Sequence, residues 1–245
     1  MNRTLPRTPI TRDLGRFVAG LGYDAIPAAA LDTARLGMID AVGTMLAGSR
    51  EPVVRLLTEA LAPIPGPCSL LFGAGRAGAA EAAWINGTAA HALDYDDVAL
   101  RGHPSTVLMP AIVAQAEQLG ASGKQMILAY VAGYEVWAEL VAREKGQHHA
   151  KGWHPTGIFG PIAASAACAS LWQCDAAQTA QAMAIAASQS AGLMANFGSM
   201  VKPFHAGRAA HAGVISTRLA RAGMSASADA LEHPQGFLAA VSPAG

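Results

Sequence analysis

Residues 86–105 read Asn86-Gly87-Thr88-Ala89-Ala90-His91-Ala92-Leu93-Asp94-Tyr95-Asp96-Asp97-Val98-Ala99-Leu100-Arg101-Gly102-His103-Pro104-Ser105. The approach to this stretch, residues 79–93, is rich in alanine, the residue that costs least to place in a helix. The stretch therefore opens on an apolar helix that a core can hold rigidly. Its second half cannot continue that helix, because Gly102 and Pro104 break regular structure and lift His103 out of it. Only 14% of the chain is charged, yet His91, Asp94, Asp96, Asp97, Arg101 and His103 crowd into this short span. A fixed scaffold ending in a turn is how a protein presents a reactive side chain, so chemistry is expected here.

Working outward, the same helical pattern recurs. Thr11 is a candidate N-cap for a short helix toward Gly20. After Pro27, apolar residues at Leu31, Ala34, Met38, Val42, Met45 and Leu46 predict a helix with one face in a core, closed at Gly48. Residues 51–61 read as another helix, and Pro63, Pro65, Gly66 and Pro67 then break the chain before a short apolar run, 68–72, with strand character. Gly73, Gly75 and Gly78 around Arg76 lack the Lys-Ser/Thr of a phosphate loop and read as a linker. Ser105 or Thr106 can cap a helix to Leu119, with Pro110 inside it and Gly120 closing it. Ser122 opens a long helix through Arg143 with a solvated last turn, after which His148 and His149 are assigned to the surface. Residues 158–171 form a buried helix, and Asp175 caps the next one through Ser188. Further helices are expected from about Ala206 to Ala222 and, briefly, from Ser225. The sum is an all-α, multi-helix chain without repeats, read as one domain over residues 1–245.

Composition excludes several functions. With 17 basic and 17 acidic residues and no run of either sign, the electrostatic footprint of a nucleic-acid or membrane-surface binder is missing. At 52% hydrophobic the chain can fill a sizeable core. Cys68, Cys168 and Cys174 have no metal-ligand or disulfide spacing and read as reduced thiols. The N-terminus carries prolines where an export signal needs a continuous apolar run, and residues 157–171 stop short of a membrane span. A cytoplasmic protein without nucleic-acid or membrane partners is the expectation. Apolar helices rich in alanine and glycine are expected to leave exposed patches and to form a homodimer.

Two further clusters carry polar residues. Gly152-Trp153-His154-Pro155-Thr156-Gly157 precedes the apolar helix, so His154 and Thr156 stand at a helix N-terminus, where a carboxylate is welcome. Later, Lys202, His205 and Arg208 place three cations ahead of a helix, an arrangement that opposes the helix dipole unless anions keep them company.

Taken together, Leu93-Asp94-Tyr95-Asp96-Asp97, Gly102-His103-Pro104-Ser105, Gly133-Tyr134-Glu135-Val136, residues 152–157, Ala195-Asn196-Phe197-Gly198-Ser199-Met200, Lys202-Pro203-Phe204-His205-Ala206-Gly207 and Leu231-Glu232 with Gly236-Phe237 form an ordered set. The chain resembles the MmgE/PrpD family over nearly its whole length. The resemblance implies the helical first domain of a lyase-type enzyme, as in 2-methylcitrate dehydratase and cis-aconitate decarboxylase, acting on small polycarboxylic acids with no cofactor and no metal. It places the family's active-site residues on Asp94, His103, His154 and Lys202, with His205 close by. Two departures stand out. The decarboxylase branch has a hydroxyl-bearing threonine where this chain has Val98. Family members also continue into a smaller α/β domain that supplies more of the site, so the chain is expected to be a fragment, a truncated gene or half of a split enzyme, and inactive alone.

The expected mechanism is metal-independent acid–base elimination on a di- or tricarboxylate. His103 is the acid/base group oriented by Asp94, while His154, Lys202 and His205 bind substrate carboxylates. Two rivals remain: a metal-dependent hydrolase with His91, Asp94, Asp97 and His103 as ligands, and a non-catalytic helical assembly fragment.

Overall fold

The computed structural model describes residues 9–71, 73, 75–144 and 146–242. Phe72, the end of the predicted strand run, and residues 1–8, on which the export reading rests, lie outside them. Among the described residues the helices are α1 (Ile10–Gly20), α2 (Ala28–Gly48), α3 (Pro52–Leu61), α4 (Ala79–Ala90), α5 (Ser105–Leu119), α6 (Gly123–Glu144), α7 (Pro155–Leu171), α8 (Ala176–Ala187), α9 (Val201–Arg221) and α10 (Phe237–Val241). The chain is all-α apart from one small hairpin. None of these helices is long and apolar enough to cross a membrane.

The core is built around α7, in which every residue except Ser170 is buried. A helix that is apolar all round must be enclosed by others, and α6, α8 and α9 pack along it. Small residues set how close these helices come. A Cβ on Gly213 of α9 would lie 2.4 Å from the Cβ of Ala164 in α7. A Cβ on Gly207 of α9 would lie 2.2 Å from the backbone oxygen of Trp84 in α4. Alanine and glycine thus bring α9 against both α4 and α7, and that approach positions the site.

The strand run is β1 (Cys68–Leu70), paired antiparallel with β2 (Gly75–Ala77) in the register Cys68↔Ala77, Ser69↔Arg76 and Leu70↔Gly75. The glycines read as a linker therefore include a second strand. Asn86 of α4 pins the hairpin: Leu71 N–H donates to its Oδ1 at 2.7 Å, and its Nδ2 donates to the Ser69 carbonyl at 2.9 Å.

Five local expectations are corrected. Thr11 is buried inside α1 and does not cap it; its hydroxyl donates to Glu232 Oε2 at 2.6 Å and accepts Leu231 N–H at 3.1 Å. Helix α9 starts at Val201, five residues early, because Pro203 fits a first turn, where no intrahelical donor is needed. No helix follows Ser225; Leu231 is buried instead, and α10 forms beyond it. The last turn of α6 is not wholly solvated, since Glu144 is buried. His148 is buried as well, its Nδ1 2.6 Å from Glu144 Oε2, whereas His149 is exposed.

Candidate active site

Helix α4 ends at Ala90, and His91 is its fully buried C-cap. The chain turns through Asp94 at φ +55°, a left-handed conformation that aspartate tolerates better than most residues. It then doubles back in a two-residue hairpin. Ala99 and Gly102 exchange backbone hydrogen bonds at 3.0 and 2.9 Å, with Leu100 and Arg101 between them at φ +49° and +65°. Two L-residues held at positive φ store strain, which natural proteins concentrate at functional sites. The hairpin is anchored by Trp137 Nε1–H to the Leu100 carbonyl at 3.2 Å, and it delivers His103 to the start of α5. Thr156 supports this turn, its Oγ1 accepting His103 N–H at 3.2 Å.

The carboxylate that faces His103 Nδ1 belongs to Asp96, at 2.6 Å. The other oxygen of Asp96 lies 2.8 Å from His91 Nδ1, so one buried carboxylate holds two imidazoles whose rings stand 4.3 Å apart. Asp94, expected to orient His103, takes another place. Its Oδ1 is 2.5 Å from Lys202 Nζ, and 3.9 and 4.0 Å from the Nε2 atoms of His103 and His91. The carboxylate expected from Asp94 is supplied to His103 Nδ1 by Asp96, two residues on. Asp97, one residue on, accepts Ser105 Oγ–H at 2.7 Å, and Ser105 Oγ is 2.5 Å from Tyr130 Oη. Asp97 therefore braces the loop from behind and does not join the histidines.

His154 caps α7 and is buried, and its Nδ1 lies 3.1 Å from His205 Nδ1. One of the two rings must donate and the other accept. His154 stacks toward His91 at 6.0 Å and meets the edge of Phe197 at 4.8 Å, while Lys202 Nζ sits 5.0 Å from the Phe197 ring centre. Asp94, His103 and Lys202 thus meet directly, and His154 and His205 join through His91. A cleft of about 320 Å³ opens on His91, Asp94 and Lys202, with Glu51 and Ser199 also in its lining; His103, His154 and His205 stand behind that lining.

Electrostatics divides these groups. Burial alone pushes the Asp96 carboxyl up, but the hydrogen bonds from His103 and His91 outweigh it and bring it down to about 2. Asp97 is raised by burial despite Ser105. Burial, followed by the charges of His91, His205, Lys202 and His103, lowers His154 to about 2; burial and His91 lower His205 too. Both are therefore neutral near pH 7. Of the three residues expected to bind substrate carboxylates, Lys202 is the cation, and His154 and His205 are imidazoles that can donate or accept hydrogen bonds.

Among the described residues, ligating atoms of His91, Asp94, Asp96 and His103 lie within 4.8 Å of one another, close enough to consider a metal. The donors are already committed: Asp96 to two Nδ1 atoms, Asp94 to an ammonium. Of these four groups, His91 alone has a buried atom, Nε2, without a hydrogen-bond partner. The set is better matched to holding and moving protons.

The chain is 33% identical over 162 residues to human cis-aconitate decarboxylase, covering 64% of this chain and 34% of that protein. It is 32% identical over 231 residues to the cis-aconitate decarboxylase-like protein oryM of Aspergillus oryzae, covering 89% and 48%. With cis-aconitate decarboxylase of Aspergillus terreus it shares 27% over 241 residues, covering 94% and 49%. The chain thus spans between a third and a half of the length of these relatives. Residues 12–245 match the MmgE/PrpD N-terminal domain, and the chain belongs to the MmgE/PrpD family.

Proposed function

We propose that this chain carries the acid–base half of a lyase for small di- and tricarboxylic acids, with His103 as the acid/base group. The observation that supports it most is the 2.6 Å contact between His103 Nδ1 and the buried Asp96. A carboxylate there holds the proton on Nδ1 and leaves the Nε2 lone pair to take a proton, in a ring that cannot rotate away. Nε2 is the nitrogen nearer Asp94, which lines the cleft.

In an elimination, His103 Nε2 takes a proton from a carbon next to a carboxylate, the C–H electron pair becomes the new double bond, and the leaving hydroxyl departs as water with the proton that the His103 imidazolium returns. Lys202 binds a substrate carboxylate as a point charge, exchanging Asp94 for it. The neutral His154 supplies a hydrogen bond, and His205, whose Nδ1 faces His154 Nδ1 at 3.1 Å, positions that ring. Relatives named as decarboxylases support carboxy-lyase chemistry; Val98, which has no hydroxyl where that branch has threonine, supports the dehydratase-like reaction instead, and we assign the chain to the latter. The test is turnover of methylcitrate and cis-aconitate by this chain with and without the family's smaller α/β domain added in trans, followed by absorbance of the unsaturated product; turnover is expected only with that domain added. Methylcitrate is the expected substrate, and loss of turnover in EDTA would favour the metal reading that the clustered ligands allow.

The expected homodimer belongs to this proposal. Helix α2 turns Leu36 and Ile39, each 68% exposed, and Leu46 away from the core. A second copy covering this face would remove them from water.

A further inference from the structure

A second cavity, of about 250 Å³, shares no lining residue with the cleft; its polar lining includes His205, Arg208, Gln189 and Asn196. Arg208 is half-buried there. Its polar contact is Nη1 to His211 Nδ1 at 3.4 Å, and its guanidinium lies 5.7 Å from the Trp84 ring centre. Among the described residues no carboxylate forms an ion pair with it, and unlike an exposed arginine it is half-buried and lines a cavity. A guanidinium offers five N–H donors in a planar fork, and most of this fork is unspent. Taking such a charge out of water without an anion is costly, and burial duly pushes Arg208 below its ordinary value. His205 adds a second polar group. Its Nδ1 is engaged with His154, which leaves Nε2 as its remaining polar atom.

We propose that this cavity binds a small oxyanion, a phosphate or a short dicarboxylate, between Arg208 and His205, at a site separate from the cleft. The volume falls below the roughly 300–1,000 Å³ of sites for drug-sized ligands, which fits a ligand of a few heavy atoms. The site also has a route to the histidine cluster. An anion beside His205 favours its protonated form, which must donate Nδ1–H to His154 Nδ1. That donation fixes His154 with its own proton on Nε2, so the ring next to His91 reports whether the cavity is filled. The inference does not depend on the reaction proposed for the cleft.

Ring ¹⁵N spectra of the histidines, titrated with inorganic phosphate and with succinate, test this. The wild-type protein should show saturable shifts of His205 and His154. Affinity should fall about ten- to hundred-fold in Arg208→Gln, and less in Arg208→Lys, which keeps the charge and loses the fork. Lys202→Gln should leave saturation unchanged. Tighter binding of phosphate assigns the site to phosphate, and tighter binding of succinate assigns it to carboxylates. Absence of saturable shifts in the wild-type protein would overturn the proposal even if Arg208→Gln failed to fold. So would shifts that survive Arg208→Gln at native helicity, or that vanish with Lys202→Gln.

Discussion

Asp96 and His103 form the tightest polar contact behind the candidate reacting group, 2.6 Å from carboxylate oxygen to Nδ1, with the carboxylate fully removed from solvent. Asp96→Asn should therefore cost far more than loss of a surface charge. An amide no longer stabilises the imidazolium and can turn its NH₂ toward Nδ1, which favours the wrong tautomer. The expected loss in kcat is about 10²–10⁴-fold with little change in KM. Steady-state kinetics on methylcitrate reads the split; a pure KM effect would reassign Asp96 to binding.

Lys202 should behave in the opposite way. It is the cation of the cleft, held on Asp94 until a substrate carboxylate replaces that contact. Lys202→Met should raise KM about ten-fold or more, since hydrogen bonds to charged groups contribute about 1.5–3 kcal/mol. Arg at this position should restore charge without restoring geometry. Unaltered KM in Lys202→Met would remove it from the substrate site.

How far the sequence specified this arrangement depends on the distance from a regular element. The span of α2 follows from Pro27, the apolar period and Gly48, and the observed helix is Ala28–Gly48. His91 and Asp94 follow from the alanine-rich helix in the same way. Beyond Ala90 the helical period lapses, and the turn at Asp94, with φ +55°, decides which of three nearby aspartates meets the imidazoles. Periodicity carries no information about that choice. His148, expected at the surface, is buried; the one available signal was Glu144 four residues earlier, the spacing at which side chains meet along a helix and its extension. The shift of His154 and His205 to neutrality was not legible, because it arises from burial first and then from charges brought together from distant parts of the chain, four of them around His154 and His91 beside His205.

That neutrality makes stability depend on pH. An unfolded histidine takes up a proton near pH 6.5, whereas folded His154 refuses one until about 2 and His211 until about 4. Both pKa values are depressed by folding, so their contribution is present above pH 6.5 and is lost as pH falls below it. The limiting slope is about 1.4 kcal/mol per pH unit for each group. Asp96 adds to this only below its unfolded value, between about 3.8 and 2. Urea midpoints should fall from pH 7 to pH 5, and less steeply in His154→Asn. An equal slope in that variant would show that His154 is protonated in the folded protein.

Gly207 is the closest approach between the helices that carry the two halves of the site. A Cβ there would meet Trp84 O at 2.2 Å and Thr88 Oγ1 at 2.3 Å. Gly207→Ala should cost about 1–3 kcal/mol by overpacking, lowering Tm by about 2–4 °C for each kcal/mol. It should also lower turnover, because α4 and α9 would separate His91 from Lys202 and His205. Calorimetry showing an unchanged Tm would contradict the observed helix contact.

The central claim is that His103 moves a proton on a carbon next to a carboxylate. Its most direct test is deuterium exchange in D₂O into methylcitrate and cis-aconitate, followed by NMR with EDTA present, for the wild-type protein and His103→Ala. With the family's smaller α/β domain added, the account predicts exchange by the wild-type protein that is indifferent to EDTA and falls at least about 100-fold in the variant. Exchange that persists in His103→Ala, or that EDTA abolishes, would contradict it.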